Sequence, residues 1–236
     1  MNSIPNRKTI LIVEDDQNIQ EALRYSLEKE KYDLILANDG NQALELAECH
    51  NPDLVILDIM LPGSDGLSVC QTLRAKNDVP IIMLTAKSEE IDKVLGLELG
   101  ANDYITKPFS MRELIARVKV QLRYSNSREI DFSKDKSAIL ESGNLVIDTY
   151  SYTAKLNNKE LNLRPREFNL LTFFMQNKGK ALSRHKILEA LWGQDYIGDT
   201  RTIDVHTRWL RQKLESNPSK PLRIVTVRGI GYRFDG

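Results

Sequence analysis

At 236 residues, with 41% hydrophobic and 28% charged residues, the chain has the composition of a soluble globular protein and room for two domains of roughly 100 to 130 residues. The opening MNSIPNRKTI lacks the apolar run of a signal peptide, no segment approaches the ~20 apolar residues of a membrane span, and the only cysteines, Cys49 and Cys70, have neither metal nor disulfide-framework spacing. A cytoplasmic protein without membrane attachment is expected, its cysteines buried free thiols. The zero net charge hides an asymmetry: residues 1–123 carry 14 basic against 20 acidic side chains, residues 124–236 carry 19 against 13. An acidic half suits cations or regulation, a basic half a polyanion.

In the first half, short apolar runs at 9–13, 33–37, 54–57, 81–84 and 104–106 alternate with helical patterns such as Ile19, Leu23, Leu27 and Leu114, Val118, Leu122. Five strands and five helices are predicted. Nearly continuous apolar strands between helices imply a parallel sheet covered on both faces, the last helix opening with the capping box Ser110-x-x-Glu113 and ending near residue 123. In such sheets ligands bind outside the carboxyl ends of the strands. Those ends carry Glu14, Asp15 and Asp16, then Asp58, Thr85 and Lys107-Pro108. Asp58 follows directly on the water-avoiding run LVIL, a costly place for a charge unless something pairs with it. Carboxylates crowded at one edge call for a hard divalent cation, and Mg²⁺ takes one or two of them with waters and a phosphate oxygen.

The stretches VEDD, LDIMLPGSDG, LTA and DYITKPF, in that order and spacing, resemble the receiver domain of bacterial two-component response regulators over residues 8–123. The resemblance implies a doubly wound (βα)5 flavodoxin-like α/β domain. In it Asp58 accepts a phosphoryl group from a sensor histidine kinase, with Mg²⁺ held by Asp15, Asp58, the main-chain oxygen of Met60 and, through water, Glu14. Asp16 is then a flanking residue at the start of the first helix. Lys107 pairs with phosphoryl oxygens, aimed inward by a cis Lys107-Pro108 peptide, and Thr85 Oγ and the Ala86 amide donate to another. The implied switch moves Thr85 toward the phosphate and turns Tyr104 into the space it leaves. A symmetric dimer is implied through Lys93, Glu98, Asp103, Glu113, Arg117, Lys119 and Arg123, with Lys93–Glu113 and Asp103–Arg117 as pairs, while Asn102 and Tyr124 depart from the family's usual charges.

Residues 124–140 are polar and aperiodic, as in a linker. Short strands with an Asn157-Asn158 turn follow, and then three helices. Pro165 opens the first, before Phe168, Leu171, Phe174 and Met175; Ser183 caps the second; Thr200 or Asp199 caps the third, whose apolar seam is Ile203, Thr207, Leu210 and Leu214. Two strands around Gly229–Gly231 close the chain. On the third helix Arg201, Val205, Arg208, Trp209 and Gln212 are expected opposite the seam, either entering a major groove or forming a solvated basic face.

RTIDVHTRWLRQKL followed by VTVRGIGYRF is similar to the winged-helix effector domain of the response-regulator subfamily named after OmpR and PhoB, making residues 141–236 an α+β DNA-binding domain. By that likeness Arg201, Val205, Arg208, Trp209 and Gln212 face base edges, with Val205 suited to a thymine methyl. Arg228 on the wing faces the minor groove, and Thr202, His206, Arg211, Thr226 and Tyr232 face phosphates. Trp209 stands where arginine is common in the family, and His206, without partner ligands, is expected near DNA or in packing.

The whole reads as a phosphorylation-activated transcription factor that dimerises on promoter DNA. RNA polymerase could meet the loop WGQDYIGDT (192–200). The only chemistry expected is self-phosphorylation and slow self-dephosphorylation, tuned at Met60 and Lys87. A receiver with a protein-contact output, a phosphorylation-blind DNA binder and an aspartyl phosphatase are the rival readings.

Overall fold

The computed structural model describes residues 7–86, 100–125, 139–193, 196 and 199–236, in two compact units, Met1–Ser125 and Asn126–Gly236. In the first unit a parallel sheet has the order β2-β1-β3-β6-β7, from β1 (Thr9–Val13), β2 (Asp33–Ala37), β3 (Leu54–Asp58), β6 (Ile81–Ala86) and β7 (Asp103–Lys107). The short β4 (Met60–Leu61) and β5 (Ser64–Asp65) form a hairpin directly after Asp58. The helices are α1 (Gln17–Lys29), α2 (Gly40–His50), α3 (Gly66–Lys76) and α4 (Met111–Ser125). The stretch predicted to hold a further helix, 87–99, lies outside the described residues.

Alternation along the strands explains why they read as unbroken apolar runs. Ile10, Ile12, Leu54, Ile56, Ile82 and Leu84 pack on one face with Leu23 and Leu27 of α1 and Leu114, Val118 and Leu122 of α4. Leu11, Val55, Leu57 and Met83, one residue out of phase, are equally buried, as are Ala43 and Ala47 of α2 and Val69, Cys70 and Leu73 of α3. Each buried Leu, Ile, Val or Met among them contributes about 1.5–3 kcal/mol, and the alanines less.

The helix starts are set by carboxylates. Asp16 Oδ1 accepts from the amides of Asn18 (2.8 Å) and Ile19 (3.2 Å), Asp39 from Gln42 and Asp65 from Leu67. At α4 the expected partner of Ser110 is engaged elsewhere: Glu113 Oε1 accepts from Arg117 (2.6 Å), one turn along the helix. Cys49 corrects another expectation, because it is exposed on α2 while Cys70 is buried.

In the second unit β8 (Ile139–Ser142), β9 (Leu145–Asp148), β10 (Thr153–Leu156) and β11 (Lys159–Glu160) make an antiparallel sheet in reverse chain order. Asn157 and Asn158, both at positive φ, form the predicted turn between β10 and β11. Helix α4 runs to Ser125 and β8 starts at Ile139, so both ends of the expected linker belong to regular structure. Helices α5 (Pro165–Gln176), α6 (Arg184–Trp192) and α7 (Arg201–Leu214) follow. Pro165 is the first residue of α5, Ser183 Oγ accepts from Lys186 N at α6, and at α7 Asp199, not the N-cap Thr200, supplies the carboxylate, accepting from Arg201 N. The hairpin of β13 (Ile224–Val227) and β14 (Gly231–Phe234) is the wing, and β14 also pairs with β12 (Leu182–Ser183).

Candidate functional site

Parallel register brings together groups far apart in sequence. Asp58 ends β3, Glu14 follows β1, and Lys107 ends β7, so all three lie at the carboxyl edge where strand order reverses between β1 and β3. Lys107 Nζ lies 2.7 Å from Asp58 Oδ2 and 2.8 Å from Glu14 Oε2. Both carboxylates are nearly sealed from solvent, at 4% and 1% side-chain exposure. Burial drives the Glu14 carboxyl above its ordinary value, the Lys107 hydrogen bond opposes this, and the charge of Asp58 adds to it. For Lys107 burial favours loss of the proton, but the hydrogen bonds of Asp58 and Glu14 prevail and hold the ammonium above its ordinary value.

Glu14, Asp15 and Asp58 each offer a carboxylate oxygen within 4.8 Å of the others, with Asp15 exposed at the mouth. Three hard oxygen donors, two of them buried with one lysine between them, fit a small divalent cation. Thr85 is buried near the end of β6, and Lys107-Pro108 is cis, as expected. The main chain around Asp58 is tightly fixed. Met60 N–H donates to Asp58 Oδ1 (3.3 Å) and Gly66 N–H to the Ile59 carbonyl (3.0 Å). A Cβ at Gly66 would lie 2.2 Å from the Asp58 carbonyl oxygen, so only glycine fits there.

In the second unit the exposed side of α7 is a narrow stripe. Arg208 and Gln212 are exposed and Arg201, Asp204 and Arg211 partly so, whereas Thr202, Ile203, Val205, His206, Thr207, Trp209, Leu210 and Leu214 are buried. Arg211 donates to the Ile224 carbonyl (2.7 Å) and Thr226 Oγ1 (2.7 Å) of the wing, and Tyr232 OH donates to Asp204 Oδ1 (2.7 Å). The wing turn closes with Ile230 N–H on the Val227 carbonyl and Gly229 at φ +76°.

Residues 10–119 match the model of the response regulator receiver domain, and residues 158–234 that of the C-terminal domain of transcriptional regulatory proteins. The sensory transduction proteins RegX3 of Mycobacterium tuberculosis and Mycolicibacterium smegmatis are 44% identical over 97% of this chain and 99% of theirs. The chain is an OmpR/PhoB-type response regulator. Two solved mutants of RitR are similar over 97% of this chain and all of theirs, at 28% and 29% identity with TM-scores of 0.72 and 0.69.

The regulator therefore pairs a receiver with a winged-helix DNA-binding domain, and it belongs to a family of transcription regulators. Among its described residues no helix is long and apolar enough to cross a membrane. The structure corrects the expected outward face of α7. Val205 and Trp209 are buried, because Trp209 packs on the His206 ring (centroids 4.9 Å apart) and beneath the Arg164 guanidinium (5.1 Å). Thr202, His206 and Tyr232, expected near phosphates, are also buried; His206 sits between Trp192 and Trp209 as a packing residue, and the Tyr232 hydroxyl is turned to Asp204. The buried arc spans about 200°, twice the usual amphipathic stripe.

The expected dimer face also differs. Asp103 and Arg117 pair within the chain at 2.7 Å, Asp103 fully buried, and Lys119 reaches Glu30, the residue that caps the end of α1, at 2.6 Å. Asn102 turns inward, its Oδ1 accepting from Ile81 N and Arg74. Tyr104 is buried on β7. Lys93, Glu98 and the side chains of Ala86, Arg123 and Tyr124 lie outside the described residues, as does part of 192–200. Sequence reasoning missed Gln20, whose buried amide ties the Glu14 and Ala37 carbonyls to Asn38, and it missed Asp204. Gln20 lies one position from the apolar Ile19 on α1, the only signal it gave.

Proposed function

We propose that this regulator is switched by phosphorylation of Asp58 from a sensor histidine kinase, which promotes its dimerisation and sequence-specific binding to promoter DNA. The observation that carries the reading is the Asp58–Lys107–Glu14 cluster at the sheet edge, beside the exposed Asp15. Mg²⁺ would be held by Asp15, Asp58, the Met60 carbonyl and, through water, Glu14, where it would offset the negative charge of the incoming phosphoryl group. An Asp58 carboxylate oxygen attacks phosphorus, the bond to the kinase imidazole breaks, and an acyl phosphate forms. Lys107, already on Asp58, follows the charge onto a phosphoryl oxygen, while Thr85 Oγ and the Ala86 amide donate to another. Slow hydrolysis of the acyl phosphate returns the free carboxylate.

With Asp103 and Arg117 paired inside the chain, Glu113, held on α4 by the same guanidinium and partly exposed, is an acidic group of this face left to meet a second copy. Arg201, Arg208 and Gln212 present to base edges and Arg228 to the minor groove, with Arg211 and Thr226 lining the flank toward phosphates. RNA polymerase is the expected partner at promoters. Incubation with acetyl phosphate and Mg²⁺ should add one phosphoryl mass to the wild type and none to Asp58→Ala, and genome-wide DNA occupancy should differ between the two. Identical occupancy maps would remove phosphorylation from the switch.

A further inference from the structure

Three parts of the winged-helix domain meet at one oxygen atom. Asp204 Oδ1, in the first turn of α7, accepts from Arg184 Nε (2.6 Å), at the start of α6, and from Tyr232 OH (2.7 Å), on the wing strand β14. Two cations lie over the Tyr232 ring, the guanidinium carbons of Arg184 and Arg211 5.1 Å and 5.3 Å from its centre. Arg211 in turn donates to Ile224 and Thr226 of β13. Gly231 docks the same hairpin against β12, since a Cβ there would lie 2.3 Å from the Leu182 carbonyl oxygen. Helix and wing are thus braced at a single carboxylate.

Asp204 also has an unusual location. It lies on the partly exposed stripe of α7 with Arg201, Arg208, Arg211 and Gln212, so it places a negative charge on the face that approaches a polyanion. Its two donors, a guanidinium and a phenol, are the kinds of group that bind phosphates without regard to sequence. We infer that Asp204 sets DNA specificity: it withdraws Arg184 and Tyr232 from phosphate contact and uses them to fix the wing relative to the reading face of α7. Sequence-blind affinity is held down, and only sites that satisfy helix and wing together bind tightly. This inference rests on the DNA-binding role of the domain.

The sign of the effect separates this role from simple structural support. Loss of a merely structural contact weakens binding to every duplex. Removal of the Asp204 charge should strengthen binding to an unrelated duplex, because Arg184 becomes free to neutralise one more phosphate. The full-length chain, treated with acetyl phosphate and Mg²⁺, is first used to select duplexes from a random library. Affinity for a selected duplex and for a scrambled one of the same composition is then measured against salt for wild type, Asp204→Asn and Tyr232→Phe. Asp204→Asn should bind the scrambled duplex more tightly, steepen the slope of log K against log salt by about 1, and cut the selected-to-scrambled ratio by roughly tenfold or more. Tyr232→Phe should lower the ratio without changing the slope, since it loosens the brace and releases no charge. An unchanged ratio in both variants, or an Asp204→Asn protein that binds the scrambled duplex no better than wild type, overturns the inference. If Asp204→Asn does not fold, the ratio of Tyr232→Phe decides alone. Failure of the wild type to enrich any sequence would instead overturn the DNA-binding role beneath it.

Discussion

Lys107→Met puts the electrostatics of the receiver site to a direct test. The substitution keeps the apolar stem and removes the ammonium that lies between Glu14 and Asp58, whose side chains are 1% and 4% exposed. Breaking a buried ion pair by removing one partner costs about 3–5 kcal/mol. Lys107 is itself 22% exposed, so water reaches the cluster and the lower end, about 3 kcal/mol, is expected. With a urea m-value of about 2 kcal/mol/M, the receiver midpoint should fall by about 1.5 M at neutral pH. The sign of the pH dependence follows from Glu14, whose folded carboxyl already lies above its ordinary value through burial. A group raised in this way contributes stability that is present below the ordinary carboxylate range and is lost as pH rises through the folded value. Removing Lys107 takes away the first influence opposing that rise, so the loss should be larger at neutral pH than at about pH 5. Circular dichroism follows both units, whereas the only tryptophans, Trp192 and Trp209, lie in the second unit, so their fluorescence supplies an internal control. A midpoint shift under about 0.3 M, or an equal loss at both pH values, would refute the reasoning.

Gly66→Ala forces a methyl against the Asp58 carbonyl oxygen and should cost about 1–3 kcal/mol, with slowed phosphorylation of Asp58 by acetyl phosphate; normal rate and stability would show that the backbone yields freely. Arg117→Met strands the fully buried Asp103 and should cost about 3–5 kcal/mol, while the double variant with Asp103→Leu should recover most of it, as read by urea unfolding. Leu23→Ala, on the buried face of α1 against the sheet, should lose about 2–5 kcal/mol in the same assay without altering the chemistry of Asp58. Mg²⁺ should raise the receiver's melting temperature in the wild type and less in Asp15→Asn/Asp58→Asn, and an equal rise in both would place the cation elsewhere.

Most local patterns were expressed in the sequence. Apolar runs separated by 3.6-residue periodicity marked the strands and helices, Asp16 marked a helix start, and the Asn157-Asn158 pair set a turn, because each depends on neighbours a few residues away. The placement of Asp58 at a strand end was equally visible. Its pairing with Lys107, 49 residues on, was available only by likeness to a family, since it needs the register of β3, β6 and β7. The fold alone decided which charges face outward. A single helix sequence does not say how wide an arc its neighbours cover, and on α7 the indole of Trp209 and the ring of His206 turn inward against Arg164 and Trp192. In the same way Asp103 and Arg117, which suit an exposed interface when read along the chain, neutralise one another inside it. Asp204 gave no signal at all beyond an acid in a first turn. Its role exists only because α6, α7 and the wing converge on one oxygen, and convergence of distant segments is a property of tertiary packing.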